Sequence, residues 1–282
     1  MVNQTLHEKN QNLGHLLKDM GRVMIAFSGG VDSAVLLKRA QEELGDQVLA
    51  VVVASELFRQ QEFDAAVKLA EELGVDVHKT EIKELEQPAI VANNPDSWYH
   101  SKKLLYTRLN QIASERNYPY VLDGMIMDDV ADFRPGLKAR TEEGVRSALQ
   151  EAHFYKTDVR ALAESLELPV WDKPASCSLA SRIPYGIKLD QQKIDQVNQA
   201  ELFLATLGFN HVRVRHHDNV ARIEVPADDI VALMSEREKV QMKLTSLGFT
   251  YVSLDLQGYR TGSMNEDLPD TVTNTEAEAI SV

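Results

Sequence analysis

Ala26-Phe27-Ser28-Gly29-Gly30-Val31-Asp32-Ser33 joins an apolar run over residues 23–27 to a helical pattern that begins near Asp32. A strand that turns through two glycines into a helix aims successive backbone N–H groups and the positive helix end at one spot, and such a spot binds phosphate. Gly29 and Gly30 permit close backbone approach, the hydroxyls of Ser28 and Ser33 can donate hydrogen bonds, and Asp32 can hold magnesium or its waters. The spacing is neither that of the Walker A loop nor that of the dinucleotide fingerprint. By pattern alone, the same turn also serves as a tight connection without a ligand.

Outward from this loop, helical runs over 32–44 and 60–73 alternate with apolar runs over 48–54 and 75–82. Such alternation predicts parallel strands joined by helical crossovers. Asn94-Pro95-Asp96-Ser97 offers an N-cap for a helix over 98–116, with Leu105, Leu109 and Ile112 on one face, and a further strand follows at 120–125. The pattern is again helical and charge-rich from 134 to 168, after which Pro169, Pro174 and Pro184 mark irregular chain around Cys177. A domain of residues 1–183 therefore gives way to a smaller one at 184–263.

That second part echoes itself. Leu204-Ala205-Thr206-Leu207-Gly208-Phe209 leads to Val212 and Val214, and Leu244-Thr245-Ser246-Leu247-Gly248-Phe249 leads to Val252 and Leu254. With strands near 183–189 and 221–225, the order becomes β-α-β-β-α-β, a ferredoxin-like α+β unit. The acidic tail, 264–282, has too few apolar residues to pack and is expected to be mobile.

Forty-three acidic residues against 30 Lys plus Arg give a net charge of −13, which works against broad contact with nucleic acid. The first 22 residues form an amphipathic pattern without a signal peptide's apolar core, and no apolar run approaches the roughly 20 residues of a membrane span. A cytoplasmic protein that does not engage a membrane is expected.

Cys177 is the only cysteine, so no intrachain disulfide can form. A lone cysteine is commonly a small apolar filler. Here it stands between Ser176 and Ser178, close in sequence to Arg182, in a proline-flanked stretch unlike a core strand, and a nearby cation would favour the thiolate. Arg213 and Arg215 alternate with Val212 and Val214, which puts both guanidinium groups on one face of a strand. They suit a phosphate, although Glu224 can also pair with them.

The segment 26–33 resembles the pyrophosphate loop of the ATP pyrophosphatases, shared by GMP synthetase, NAD synthetase, asparagine synthetase and tRNA thiolases. Asp123-Gly124-Met125-Ile126-Met127-Asp128-Asp129 is similar to that superfamily's Gly-x-x-x-Asp-Asp element near ATP. The resemblance implies cleavage of magnesium ATP between its α and β phosphates, with Ser55 at the end of the second strand near the adenine, as ligands of open sheets gather at carboxyl ends.

A more specific resemblance covers nearly the whole chain. Lys156-Thr157-Asp158-Val159-Arg160-Ala161-Leu162-Ala163, Leu168-Pro169-Val170-Trp171-Asp172-Lys173-Pro174-Ala175-Ser176-Cys177 and Ser181-Arg182-Ile183-Pro184-Tyr185-Gly186 resemble the LarE family. So do Pro95-Asp96-Ser97-Trp98-Tyr99, Arg134-Pro135-Gly136-Leu137-Lys138-Ala139-Arg140 and Val212-Arg213-Val214-Arg215. This resemblance implies an ATP-dependent sulfur transferase of nickel-pincer nucleotide biosynthesis, acting on the small pyridinium-3,5-biscarboxylic acid mononucleotide. ATP adenylates a substrate carboxylate, the thiolate of Cys177 displaces AMP to give a thioester, and elimination leaves a thiocarboxylate on the substrate and dehydroalanine in the protein. It further implies that Arg182, Arg213 and Arg215 bind the substrate or its phosphate, that Trp98 stacks on the pyridinium ring, and that Glu201 and Glu224 are candidates for a second divalent metal near the cysteine or for proton transfer. It also implies a homo-oligomer, a hexamer in relatives. Val130 and Ala232 depart from the pattern where further acidic groups are expected.

Two rival readings stay open. A tRNA thiolase or amide-forming ligase shares the ATP scaffold, but a persulfide relay commonly needs a second thiol or an iron-sulfur site, and an ammonia-using ligase has no need of Cys177. A nucleotide sensor would bind ATP without splitting it.

Overall fold

The computed structural model of the chain describes residues 5–130, 136–174 and 176–260. Arg134 and Pro135 of one motif and the acidic tail lie outside them. The described residues form two compact units, one within 1–84 and 98–176, the other within 85–97 and 177–273. The passage into the second unit falls at Cys177, earlier than the boundary expected after residue 183, and the short segment 85–97 joins it.

The first unit opens with α1 (Leu6–Met20), started by a capping box in which Thr5 and Glu8 satisfy each other's backbone N–H. The alternation then follows as expected: β1 (Val23–Ala26), α2 (Val31–Leu44), β2 (Val48–Ala54), α3 (Gln60–Glu72) and β3 (Asp76–Glu81). Past the second unit's one-turn α4 (Pro88–Val91) come α5 (Ser97–Glu115) and β4 (Tyr120–Leu122). The four strands pair in parallel in the order β3-β2-β1-β4, with Val23 opposite both Val48 and Tyr120.

Period-two alternation divides the apolar residues of these strands between two cores. Val23, Ile25, Val48, Ala50 and Val52 pack with α1, α2 and α3, whereas Met24, Leu49 and Val51 pack with Tyr106, Leu109 and Ile112 of α5. A parallel sheet covered on both faces is stable only with strands apolar on both sides, which is why β1 and β2 read as continuous apolar runs.

The helical stretch expected over 134–168 is three short helices: α6 (Gly136–Glu142), α7 (Ala148–Glu151) and α8 (Lys156–Ser165). Arg146 interrupts it by joining the sheet edge. Its N–H donates to the Val121 carbonyl and its own carbonyl accepts from Asp123 N–H, at 3.0 Å each, so the chain leaves helical geometry there.

In the second unit, α9 (Gln191–Thr206) leads to β5 (Arg213–His217) and β6 (Val220–Glu224), and α10 (Ile230–Ser235) and α11 (Arg237–Ser246) lead to β7 (Tyr251–Leu254). The internal echo is real. Phe209 N–H donates to Leu204 O and Phe249 N–H to Leu244 O, and all four side chains are buried in one core. The sheet, however, has the order β5-β6-β7, antiparallel then parallel. The four-stranded ferredoxin-like order therefore lacks its first strand.

The reason lies in Asn93. Its Nδ2 donates to the carbonyls of Ile183 (3.1 Å), Pro184 (2.9 Å) and Ile187 (3.2 Å). Gly186 and Leu189 N–H donate to Asn93 O and Val91 O. The polar backbone groups expected to form a ladder are thus satisfied by residues 91–93 instead.

Replacing Asn93 by Ala is expected to lower stability by about 2 kcal/mol, because it takes the side-chain donor from the buried Ile183 carbonyl and from the partly buried carbonyls of Pro184 and Ile187. Equilibrium urea unfolding measures the loss, and amide exchange at Gly186 and Leu189 should quicken with it.

Candidate active site

In the first unit the glycine loop takes the form that the sequence predicts. Phe27 N–H donates to Val51 O, extending the sheet to the brink of the loop, and α2 starts with Gly30 as its N-cap. Gly29 has φ of 70°, and a Cβ built on it would lie 2.8 Å from the Ala66 Cβ of α3. Only glycine meets both demands.

Gly124 lies directly against the same helix start. A Cβ there would lie 3.0 Å from the backbone nitrogen of Ser33. It is held in place by the preceding Asp123, buried, whose carboxylate accepts from Tyr106 O–H (2.7 Å), Ser147 O–H (2.6 Å) and Met125 N–H (3.2 Å). Burial, with the charge and hydrogen bond of Asp123, pushes the Tyr106 phenol well above its ordinary range, so it remains a donor. The two sequence elements, 26–33 and 123–129, are therefore one structural feature.

The first-turn N–H groups of α2 have no intrahelical acceptor and carry the positive end of the helix dipole. Ser28 and Ser33 hydroxyls meet at 3.2 Å beside them. Lys156 Nζ lies 2.7 Å from both carboxylate oxygens of Asp32. Lys173 Nζ pairs with Glu62 at 2.7 Å and reaches Gly29 O at 3.5 Å. Burial opposes the ionisation of Glu62, but Lys173, helped by a hydrogen bond from Ser176, prevails and holds its carboxyl below the usual range. Sequence reasoning assigned Lys156 and Lys173 no role, although both stand in the stretches that carry the LarE resemblance.

Ser55, at the carboxyl end of β2, donates to Glu84, accepts from Leu57 N–H at 3.1 Å, and so is already engaged. Ser101 donates to the other Glu84 oxygen at 2.5 Å. Glu84 is almost wholly buried, and that burial raises its carboxyl above the usual range despite the two serine donors. No pattern in the sequence singled it out. Trp98 lies half-buried in the first turn of α5.

In the second unit Cys177 is exposed, and the turn that follows it is tightly held. Arg182, 3% exposed, grips Glu201, 1% exposed, through two hydrogen bonds of 2.9 and 3.0 Å. Its remaining nitrogen, Nη1, donates to Ser181 Oγ (2.7 Å), Ser178 O (3.0 Å) and Cys177 O (3.3 Å). Glu201 also accepts from Val214 N–H at 2.9 Å. Arg182 thus addresses the main-chain carbonyl of the cysteine.

Arg213 and Arg215 share a face of β5, as expected, yet their surroundings differ. Arg215 is buried, donates to Ser181 O, and pairs with Glu224 at 2.7 Å; Arg222 takes the other Glu224 oxygen at 3.0 Å. Arg213 is half-buried, with its guanidinium 5.3 Å from the centre of the Tyr259 ring. Glu201 and Glu224 are closed by guanidinium donors, and among the described residues no three His, Cys, Asp or Glu side chains form a metal-ligating group. These two carboxylates do not fit a shared metal as they stand.

A parallel sheet whose first strand turns through glycines onto a helix start is a nucleotide-binding α/β architecture, here that of the ATP pyrophosphatase class. A family model described as NAD synthase matches residues 8–108. The chain is 53% identical over 265 residues, 94% of its length and 96% of the relative's, to pyridinium-3,5-bisthiocarboxylic acid mononucleotide synthase of Lactiplantibacillus plantarum. It is 37% identical to an uncharacterized protein of Synechocystis, over 93% of this chain and 99% of that one. The glutamine-hydrolyzing GMP synthase of Aeropyrum pernix is 27% identical over 74% of this chain and 44% of its own. The chain belongs to the LarE family of pyridinium-3,5-bisthiocarboxylic acid mononucleotide synthases. Among the described residues no helix is long and apolar enough to cross a membrane.

Because the Glu84 carboxyl is raised in the folded state, its contribution favours folding at low pH and is lost as pH rises from the unfolded value of about 4.3 through the folded one. Glu84→Gln removes that dependence. Urea unfolding from pH 4 to 8 should show the variant gaining stability relative to the parent as pH rises, then levelling off.

Proposed function

We propose that this chain is an ATP-dependent sulfur transferase that converts carboxylates of pyridinium-3,5-biscarboxylic acid mononucleotide into thiocarboxylates with the sulfur of Cys177, for nickel-pincer nucleotide biosynthesis. One observation carries the proposal. The sole thiol of a LarE-family chain is exposed, on a backbone fixed by a buried ion pair.

The α and β phosphates of ATP are assigned to the first turn of α2 and to Ser28, Gly29, Gly30 and Ser33, where free N–H groups and hydroxyls meet anionic oxygens. Asp32 fits magnesium or its waters as a carboxylate beside a phosphate site. Lys156 then exchanges Asp32 for phosphate, keeping the charge balanced. Ser55, at the end of β2, is assigned to the adenine, and Gly124, after β4, to the ATP beside the start of α2. Substrate oxygen attacks the α phosphorus and pyrophosphate leaves, with its departing charge met by the cations and the helix end.

The thiolate of Cys177 next displaces AMP from the activated carboxyl, forming a thioester. Loss of the Cα proton and cleavage of the Cβ–S bond release the thiocarboxylate and leave dehydroalanine. Each chain supplies one sulfur, so two chains serve one dicarboxylate. Trp98 is assigned to stack on the pyridinium ring and Arg213 to bind the substrate phosphate. Arg182 and Arg215, already committed to glutamates, are not assigned to the substrate phosphate. No step here passes through a second metal.

Incubation with magnesium ATP and the dicarboxylate nucleotide is expected to lower the intact protein mass by one hydrogen sulfide, located at Cys177 by peptide mapping. Thiolated product from a protein of unchanged mass would instead require an external sulfur donor. Cys177→Ala should still release pyrophosphate and form adenylated substrate, yet yield no thiocarboxylate; loss of adenylation would make the residue structural.

Lys156→Met should raise the Kd for magnesium ATP about tenfold, the worth of one charge-assisted hydrogen bond. Calorimetric titration reads this directly, and an unchanged Kd would remove Lys156 from the phosphate site.

A further inference from the structure

The elimination that frees the sulfur asks for something that neither ATP nor the thiol provides. Removing the Cα proton of Cys177 places an electron pair next to the residue's own carbonyl, and the resulting enolate concentrates negative charge on Cys177 O. A peptide Cα–H is a very weak acid, so a donor aimed at that oxygen lowers the barrier most where the charge develops.

Such a donor is present. Arg182 Nη1 donates to Cys177 O at 3.3 Å, and the guanidinium is held from behind by Glu201 through Nε and Nη2. Arg182 is nine-tenths or more buried, so its charge is weakly screened, and a guanidinium stays charged at every working pH. The bond to Cys177 O is the longest of three that Nη1 makes, against 2.7 Å to Ser181 Oγ and 3.0 Å to Ser178 O. Two hydrogens serve three acceptors. Ser178 O has other donors as well, Ser181 Oγ at 2.8 Å and Ser181 N–H at 3.1 Å. The guanidinium hydrogen it shares can therefore move toward Cys177 O without leaving a buried carbonyl unsatisfied. The contact is weak in the ground state and free to strengthen as charge grows, which is the requirement for lowering a barrier rather than merely binding.

We infer that Arg182 is a catalytic residue of the elimination step, stabilising the enolate on the Cys177 carbonyl oxygen. The inference rests on the sulfur-transfer reading. In this step a solvent base takes the Cα proton at the exposed cysteine, the electron pair passes through the enolate into a new Cα–Cβ double bond, and the Cβ–S pair leaves with the thiocarboxylate. No oxidant or reductant is consumed.

The test follows the protein itself by rapid-quench intact mass spectrometry with magnesium ATP and the dicarboxylate nucleotide. In Arg182→Lys the thioester adduct should form within a few-fold of the parent rate and then accumulate, with dehydroalanine appearing about 100-fold more slowly, the usual effect of losing one oxyanion donor. Deuterium at the Cα of Cys177 should slow that step further. Ser181→Ala, a mild change that keeps Arg182, removes the closest acceptor competing for the Nη1 hydrogens and should speed elimination about fivefold while leaving adduct formation alone, the worth of one modest hydrogen bond; it decides the matter if the lysine variant fails to fold. Elimination at the parent rate overturns the inference, as does an equal fall in adduct formation and elimination, which marks a purely structural role. A parent protein that forms neither adduct nor dehydroalanine refutes the sulfur-transfer reading itself and the inference with it, a result the variants cannot imitate.

Discussion

A guanidinium cannot shed its charge, so a fold that buries one must close a complete set of acceptors around it. Arg182 imposes that condition on the second unit. Glu201 comes from α9, Val214 N–H from β5 binds the same glutamate, and the carbonyls of 177 and 178 come from the turn itself. Helix, strand and turn meet at one ion pair. Removing either partner leaves a bare buried charge, which costs about 3–5 kcal/mol, far more than a surface pair is worth. Arg215 with Glu224 repeats the arrangement one step along β5 and ties Ser181 to the same sheet. The carbonyls beside the cysteine are thereby tied to the buried ion pair although the thiol itself is exposed.

The nucleotide loop is built on the opposite plan, with almost no side-chain bulk at its centre. Gly29 abuts Ala66 and Gly124 abuts Ser33, so the loop and the turn after β4 are pressed against their neighbours with no room for a Cβ. Charge is held at the rim instead, in the pairs Asp32 with Lys156 and Glu62 with Lys173. Each pair is partly exposed and individually weak, which suits groups that must exchange partners when phosphate arrives. A buried pair would be too costly to open.

Much of the first unit was legible because its code is local. Period-two and helical patterns place β1, α2, β2 and α3, and the glycine spacing marks the loop. The legibility ends where distant residues take over. Asn93 captures the carbonyls of 183–187 and cancels a strand that propensity alone supports; Arg146 joins the sheet and breaks a helix that composition favours. In the site, residue types were readable and their pairings were not. Glu224 sits opposite Arg213 in register but bonds to Arg215, a diagonal choice set by side-chain reach. Glu84 carries no local signature, because its role depends on Ser55 and Ser101 from separate elements.

A residue that is spent in the reaction sets its own structural rule. Loss of a buried side chain leaves a cavity and lost contacts, commonly about 1 kcal/mol or more even for small groups, whereas loss of an exposed one costs little. Cys177 is exposed, and the groups that secure its position bind carbonyl oxygens of the main chain, not the sulfur. Conversion to dehydroalanine leaves those oxygens in place. The same grip that holds the carbonyl for elimination therefore holds the turn after the sulfur has gone, and the fold does not depend on the atom that the proposed chemistry removes.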